Sequence, residues 1–442
     1  MKGKKAVHIL STALALALVL PQAAGAIGLE EARALLRENY IDEIPEEILA
    51  LPTIDEITDA IGDPYTYYMT AEEYEQFQTD LNGAEVVGIG VMVEKKVDGL
   101  EVIGIAPDAP AHGVLETGDL IVAADGVTLE EAGTPDALAA LIAGEEGTSV
   151  TLTVLRDGES HRFTFVREQV VYPTVTGEVV DGHIGWLDCN SFGEDTGDYF
   201  ETYITEEDPE ADRWVVDLRG NPGGSATAVV EAVGHVLGNY DVAYLVDRQG
   251  SVGVWRPVPL PVEIPGLIQE PLVVLVDASS ASAAELFAAA IRDYHYGLII
   301  GTRTFGKGIA QNVFEQEDGS AFKITTFRYY SADYVTPDRS GVLPHLVVDA
   351  DLADEVAVLL SGEVEEQPAE DVLVIRLAGQ DWYVHRDQAA DEDLAPAFAE
   401  LLSALAPGTP MTLDGQAVTP AEAAGAWGVD YVSRWFGDVE SS

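Results

Sequence analysis

The spacing of apolar positions changes along this chain, and each change marks a different kind of element. Residues 27–83 carry apolar side chains at three- and four-residue intervals, as in "LEEARALLREN", which predicts a helical N-terminal segment. Within it, "GDPYTYYMTAEEYEQF" reads as a Gly/Pro turn followed by Thr70 and Glu73 at capping-box spacing, the start of a short helix. Over residues 84–168 the period drops to two. "VVGIGVMVEKKVDGLEVIGI" and "TSVTLTVLRDGESHRFTFV" predict hairpins turning at Asp98-Gly99 and Asp157-Gly158, and "TPDALAALIAG" between them predicts one amphipathic helix. Residues 169–360 alternate apolar runs ("RWVVDLRG", "PLVVLVD", "GLIIGT") with alanine-rich helical stretches ("TAVVEAVGHVLG", "ASAAELFAAAIRDY"). That alternation is the mark of a sheet covered by helices. The acidic, proline-containing run at 361–370 predicts a linker, and residues 371–442, with Trp382, Trp427 and Trp435, a small last domain. The pattern predicts an α/β core inside a mixed α+β chain, with no internal repeat.

Composition narrows the setting. The chain has 442 residues, 47% of them hydrophobic, enough for several cores. Lys2, Lys4 and Lys5, an apolar run from Ile9 to Leu20 ending at Pro21, and the small residues Ala24-Gly25-Ala26 predict a secretory signal cleaved near Ala26. Its apolar core is shorter than the ~20 residues a bilayer span needs. An extracytoplasmic protein without a stable transmembrane span after cleavage is expected. The single cysteine, Cys189, allows no intramolecular disulfide and no multi-cysteine metal site, and its strand-like context predicts a buried, inert thiol. A net charge of −54, more negative still without the leader lysines, argues against nucleic acid and anionic membranes as partners.

Three stretches carry candidate chemistry. "DASSASAAELFAAAIRD" places Ser279, Ser280 and Ser282 before a good helix. Ser282 and Glu285 match a capping box, yet a serine at a helix start also lies beside outward-pointing amides that suit an oxyanion. "TRTFGKGIAQ" sets Lys307 between glycines, with Phe305 and Ile309 as the apolar neighbours expected to desolvate it toward a neutral, basic form. His295 is a rival base on the same predicted helix, without a nucleophile-elbow motif. "DLRGNPGG" lacks the spacing of a phosphate loop and reads as a turn presenting backbone amides.

The ordered set "GIG…GD…DG", "DLRGNPGG" and "SSASAAE…RD…FGKGIAQ" resembles the carboxyl-terminal processing (tail-specific) proteases over roughly residues 35–350. These are Ser/Lys-dyad peptidases with an inserted PDZ domain. The resemblance implies a PDZ domain at 84–168 inserted between the 27–83 segment and a serine protease core at 169–360. It implies Ser282 as nucleophile, Lys307 as general base, Gln311 as the residue orienting the lysine, and the amides of Ala283 and Gly220 as oxyanion donors. Asp293 falls on a structural helix-end acid. In the PDZ domain, Val87, Gly88, Ile89 and Gly90 would receive a substrate carboxylate, and an apolar tail would add as a strand against the "TPDALAALIAG" helix. Ala284 replaces a serine of the motif and His345 an aspartate, and the tryptophan-bearing C-terminal region has no counterpart. The implied activity is that of an exported serine endopeptidase acting on proteins or peptides with free, apolar C-termini, with neither metal nor organic cofactor. A silent PDZ peptide-binding scaffold and a dyad esterase are the alternatives. Substrate identity, oligomeric state and activator stay open.

Overall fold

The strands Arg213–Asp217, Leu272–Val276 and Leu298–Gly301 are buried at every position and form the middle of a six-stranded sheet. Its order is Val175–Val180, Ile184–Cys189, Arg213–Asp217, Leu272–Val276, Leu298–Gly301, Leu346–Val347. The first pair is antiparallel and the rest are parallel. Period-two alternation splits these strands between two cores. Trp214, Val216, Val274 and Val276 pack with the helices Ala226–Leu237 and Ala283–Asp293. Val215, Val273, Leu275 and Ile300 pack on the opposite face with the helix Ala353–Leu360.

The computed structural model describes residues 27–434 apart from 82–84, 107–108, 157, 172, 208–210, 259–261 and 361–370. The predicted leader, the acidic linker, Asp157 and Trp435 lie outside the described residues. Among those described, no helix is long and apolar enough to cross a membrane. The chain divides into residues 78–174 and the remainder.

In the 78–174 unit, strands Val91–Lys95, Leu100–Ile105, Leu120–Ala124, Ser149–Arg156 and Glu159–Val166 form an antiparallel sheet in that order. The hairpins and the helix Pro135–Ile142, capped by Thr134, fall where the period-two and helical patterns predict them. Asp119 is buried and takes a two-point bond from Arg156, each N···O distance 2.7 Å.

In the larger unit a second, five-stranded sheet joins sequence-distant pieces. Tyr67–Met69 pairs with Ala321–Tyr330, which also pairs with Ile309–Glu315 and Ala243–Asp247. Helices of the N-terminal segment cover it, with Ala32, Leu36, Leu49 and Ile57 packed on Phe322 and Ile324. The region 372–427 folds as a four-stranded sheet with three helices, and Leu373, Ile375, Trp382, Phe398 and Leu401 belong to the same core as Val273 and Leu275. This region therefore seals the second face of the central sheet, which would otherwise be wet. Phe398 is fully buried, its ring centre 5.1 Å from that of Trp427. Phe398→Ala should destabilise the larger unit by roughly 3–5 kcal/mol. A denaturant melt followed by a probe on the central sheet checks this, because a shared core lowers that transition and a separate core leaves it in place.

Candidate active site

Three loops meet where the sequence places its candidate chemistry. Each follows the C-terminal end of a neighbouring parallel strand: 218–224 after Arg213–Asp217, 277–282 after Leu272–Val276, and 302–308 after Leu298–Gly301. The crevice beyond the carboxyl ends of such strands is the usual site of chemistry in an open α/β sheet.

Ser282 is the N-cap of the helix Ala283–Asp293 and has φ 55° and ψ −110°. Positive φ is rare outside glycine and costs about 1–3 kcal/mol unless neighbours enforce it. The neighbour here is Glu285. Its carboxylate is fully buried and accepts from the Ser282 N–H at 2.9 Å, Thr304 Oγ1 at 2.6 Å, the Gly306 N–H at 2.7 Å and the Lys307 N–H at 2.8 Å. Burial pushes this carboxyl above its ordinary range, and the four donors, Thr304 foremost, pull it back. Every partner donates, since Thr304 Oγ1 already accepts from the Val342 N–H. The site is thus built for the ionised carboxylate.

Gly223, at φ +103°, presses against the serine from the glycine turn. A Cβ there would lie 2.7 Å from Ser282 Cβ and 2.9 Å from the Ala283 nitrogen, so only glycine allows the approach. Ser280 is fully buried, donates to the Leu218 carbonyl and accepts from the Asp277 N–H. Ser279 caps Asp277 through its N–H. These two serines shape the turn, and Ser282 alone stands at the helix mouth. Ala283 supplies the first amide of that helix. Gly220 does not serve as the second donor: its N–H is turned to Asp277 Oδ1 at 3.1 Å, because the same carboxylate organises the serine turn.

Lys307 is half-buried, and its Nζ lies 4.2 Å from the centre of the Tyr65 ring. Burial, then the charge of Lys323, lower its pKa from the ordinary 10.5 to about 8, while Asp63 and Glu285 oppose them. Phe305, expected to provide the desolvation, is 58% exposed; Tyr65, from the N-terminal segment, is the aromatic neighbour instead. Gln311 does not bond the lysine. Its amide donates to Thr325 Oγ1 at 3.2 Å across the strand pair, and Thr325 Oγ1 donates to Asp63. Among the described residues no hydrogen bond joins the Ser282 hydroxyl to Lys307 Nζ.

The rival bases are remote or occupied. His295 follows the far end of the helix that Ser282 begins, about 20 Å away at 1.5 Å per residue. His345 accepts the Ile299 N–H through Nδ1, and burial lowers its pKa to about 4. Asp293 accepts from the Asp333 N–H and pairs with Arg292, which is structural work. Cys189 is buried, and burial pushes its thiol pKa up, so it is inert.

In the 78–174 unit, Gly88, Ile89, Gly90, Val91 and Val93 line a groove of ≈ 180 Å³ against Ala139, Ile142 and Ala143 of the helix and its end. Gly90 has φ +79°, and a Cβ there would strike Ala109 Cβ at 2.1 Å. Val87 sits in the adjoining strand opposite Gln169, outside the lining.

The serine and lysine loops are joined through Glu285, so that carboxylate should be sensitive to isosteric change. Glu285→Gln turns an NH₂ group toward N–H donors. We expect roughly 2–4 kcal/mol of lost stability and a loss of activity out of proportion to it, read from urea melts and hydrolysis rates of the folded variant.

The chain is similar to known proteins over most of its length. The model of peptidase family S41 matches residues 183–348 and that of the PDZ domain residues 87–165. A carboxyl-terminal-processing protease of Picosynechococcus sp. is 30% identical over 339 residues, 73% of this chain and 80% of the relative. The carboxy-terminal processing protease CtpA of Bacillus subtilis is 29% identical over 330 residues, 74% of this chain and 69% of the relative. The solved photosystem II D1 C-terminal processing protease is 23% identical, with TM-score 0.47, covering 76% of this chain and 97% of that one. With its fold, its motif order and its PDZ unit, this chain belongs to the carboxyl-terminal-processing proteases of peptidase family S41, serine-type peptidases.

Proposed function

We propose that this chain is an exported endopeptidase that takes proteins by free, apolar C-terminal tails in its PDZ groove and cuts them with a Ser282–Lys307 dyad. One observation carries the reading: a half-buried lysine with its pKa drawn to about 8 shares a single carboxylate with the amide of a strained helix-capping serine. In the reaction, Ser282 Oγ attacks the peptide carbonyl while neutral Lys307 takes its proton. The oxyanion forms against the Ala283 N–H at the positive end of the helix. Lys307 then gives the proton to the leaving amine, and water, deprotonated by the again neutral Lys307, attacks the acyl-enzyme ester and releases the acyl group, the proton returning to Ser282 Oγ. Catalytic hydrogen bonds are often long before substrate is seated and tighten with it. The groove lined by Gly88, Ile89, Val91, Ala139 and Ile142 supports an apolar last side chain, with the tail added as a strand. The basic, apolar leader and the single cysteine support export.

Ser282→Ala should abolish hydrolysis. Lys307→Arg should do the same although the charge is kept, because arginine keeps its proton over this range. Neutral lysine is the active form, so wild-type activity should be low below pH 8 and rise as pH passes about 8. Kinetics of folded variants and a pH–rate profile test this, and a Lys307→Arg enzyme with substantial activity refutes the dyad. A second comparison tests the groove: a substrate with an apolar, free C-terminus should be cut faster than its amidated twin, which lacks the terminal charge. Equal rates would remove tail recognition from the proposal.

A further inference from the structure

A second lysine lies on the strand that pairs with the one following the lysine loop. In the antiparallel pair that follows the lysine loop, Lys323 faces Val313 and Thr325 faces Gln311. Residues two apart in a strand share a face, and segment 63–77 contributes partners to both Lys323 and Thr325. Lys323 Nζ lies 5.2 Å from the centre of the Tyr67 ring and 4.7 Å from that of Phe77, and donates to Tyr67 Oη at 3.4 Å. Among the described residues it makes no ion pair. A half-buried ammonium without a carboxylate partner is an expense to the fold and calls for a use.

We propose that Lys323 is a positioning residue for the peptidase reaction: its ammonium, caged by Tyr67 and Phe77, keeps the proton off Lys307, so that Lys307 is free to accept one from Ser282. This rests on the Ser282–Lys307 reading above. A like charge nearby disfavours the charged form of its neighbour, and Lys323 follows burial as the second influence lowering the pKa of Lys307. Burial lowers the pKa of Lys323 as well, and Asp63 opposes it, but two ring faces and a hydroxyl favour its charged form, whereas Lys307 has one ring, Tyr65.

The other titratable groups around the pair are few. Asp63 draws protons toward both lysines and is held by the hydroxyls of Thr66 and Thr325 and by the Tyr65 N–H. Glu285 acts on Lys307 in the same sense. Asp338 accepts the Gly308 N–H, and the Tyr329 hydroxyl donates to the Lys307 carbonyl. Lys323 is thus the cation set against these carboxylates. Its repulsion acts twice, raising the share of neutral Lys307 at a given pH and making the protonated Lys307 formed by attack a readier donor to the leaving amine.

The experiment is a set of kcat/KM pH profiles on casein for wild type, Lys323→Met, Lys323→Gln, Lys323→Arg and Lys307→Ala, with urea melts for each. Both neutral variants should move the rising limb upward by about one pH unit, a roughly tenfold loss at pH 7 that disappears above the limb. Lys323→Gln keeps a donor for Tyr67 should Lys323→Met fold poorly. Lys323→Arg should leave the limb where wild type has it. A folded neutral variant with an unmoved limb, or with the same fractional loss at every pH, overturns the assignment and makes Lys323 structural. If Lys307→Ala is dead while that limb stays put, only the role of Lys323 falls. If Lys307→Ala still hydrolyses casein with the wild-type limb, it is the dyad that falls.

Discussion

One buried anion holds the active site together. Glu285 lies in the first turn of its helix, where the macrodipole favours negative charge, and it accepts backbone N–H groups from both the serine and the lysine loop. The positive φ of Ser282 is an unfavourable state that persists because its N–H has that partner and because Gly223 fills the space beneath it. Remove the anion and both loops lose their reference point at once. The glutamate half of an ordinary capping box is the same hydrogen bond that holds the serine turn to the lysine loop.

The lysine makes the opposite demand. Its folded pKa of about 8 lies below the ordinary 10.5, so the folded state binds the lysine proton less tightly than the unfolded chain does. Below pH 8 the folded protein carries the full penalty of a half-buried charge, and the penalty fades as pH rises from 8 toward 10.5. The difference is on the order of 3 kcal/mol at neutral pH, a sizeable part of a domain's net stability. The two cores on either side of the central sheet offset it. This gives region 372–427 a physical reason to be continuous with the catalytic sheet, since its residues complete the second of those cores.

Much of this was legible in the sequence because it is local. Strand and helix periods located the sheet, the hairpins of the 78–174 unit and the serine helix, and Ser282 and Glu285 sit three residues apart. What sequence missed depends on distance in the chain. Tyr65 and Asp63 reach the lysine from 240 residues upstream by strand pairing of Tyr67–Met69 with Ala321–Tyr330, a contact no local pattern encodes. Gly220 was misjudged because glycines in one turn look alike in sequence, while backbone angles decide that one faces Asp277 and another the serine. Phe305 was misjudged because adjacency in sequence says nothing about which way a loop residue points. Lys323 did leave a signal: a lysine inside "AFKITTF", a run otherwise without charge, at a position where alternation gives it the same face as buried Thr325.

The chain's large acidic surplus works against the lowered pKa of Lys307. A net charge of −54 favours protonation of every base it reaches. Its reach is short, however, because exposed charges are screened over about 8–10 Å at ordinary ionic strength, whereas buried pairs are screened far less. The groups that decide are therefore those in contact with the lysine: the loss of water around it and Lys323 on one side, Asp63 and Glu285 on the other. Both carboxylates already have several hydrogen-bond donors of their own, which disperse the attraction they can offer an ammonium. Burial and like charge act locally against an acidic surface, and they lower the pKa of Lys307 where the fold has removed the water around it.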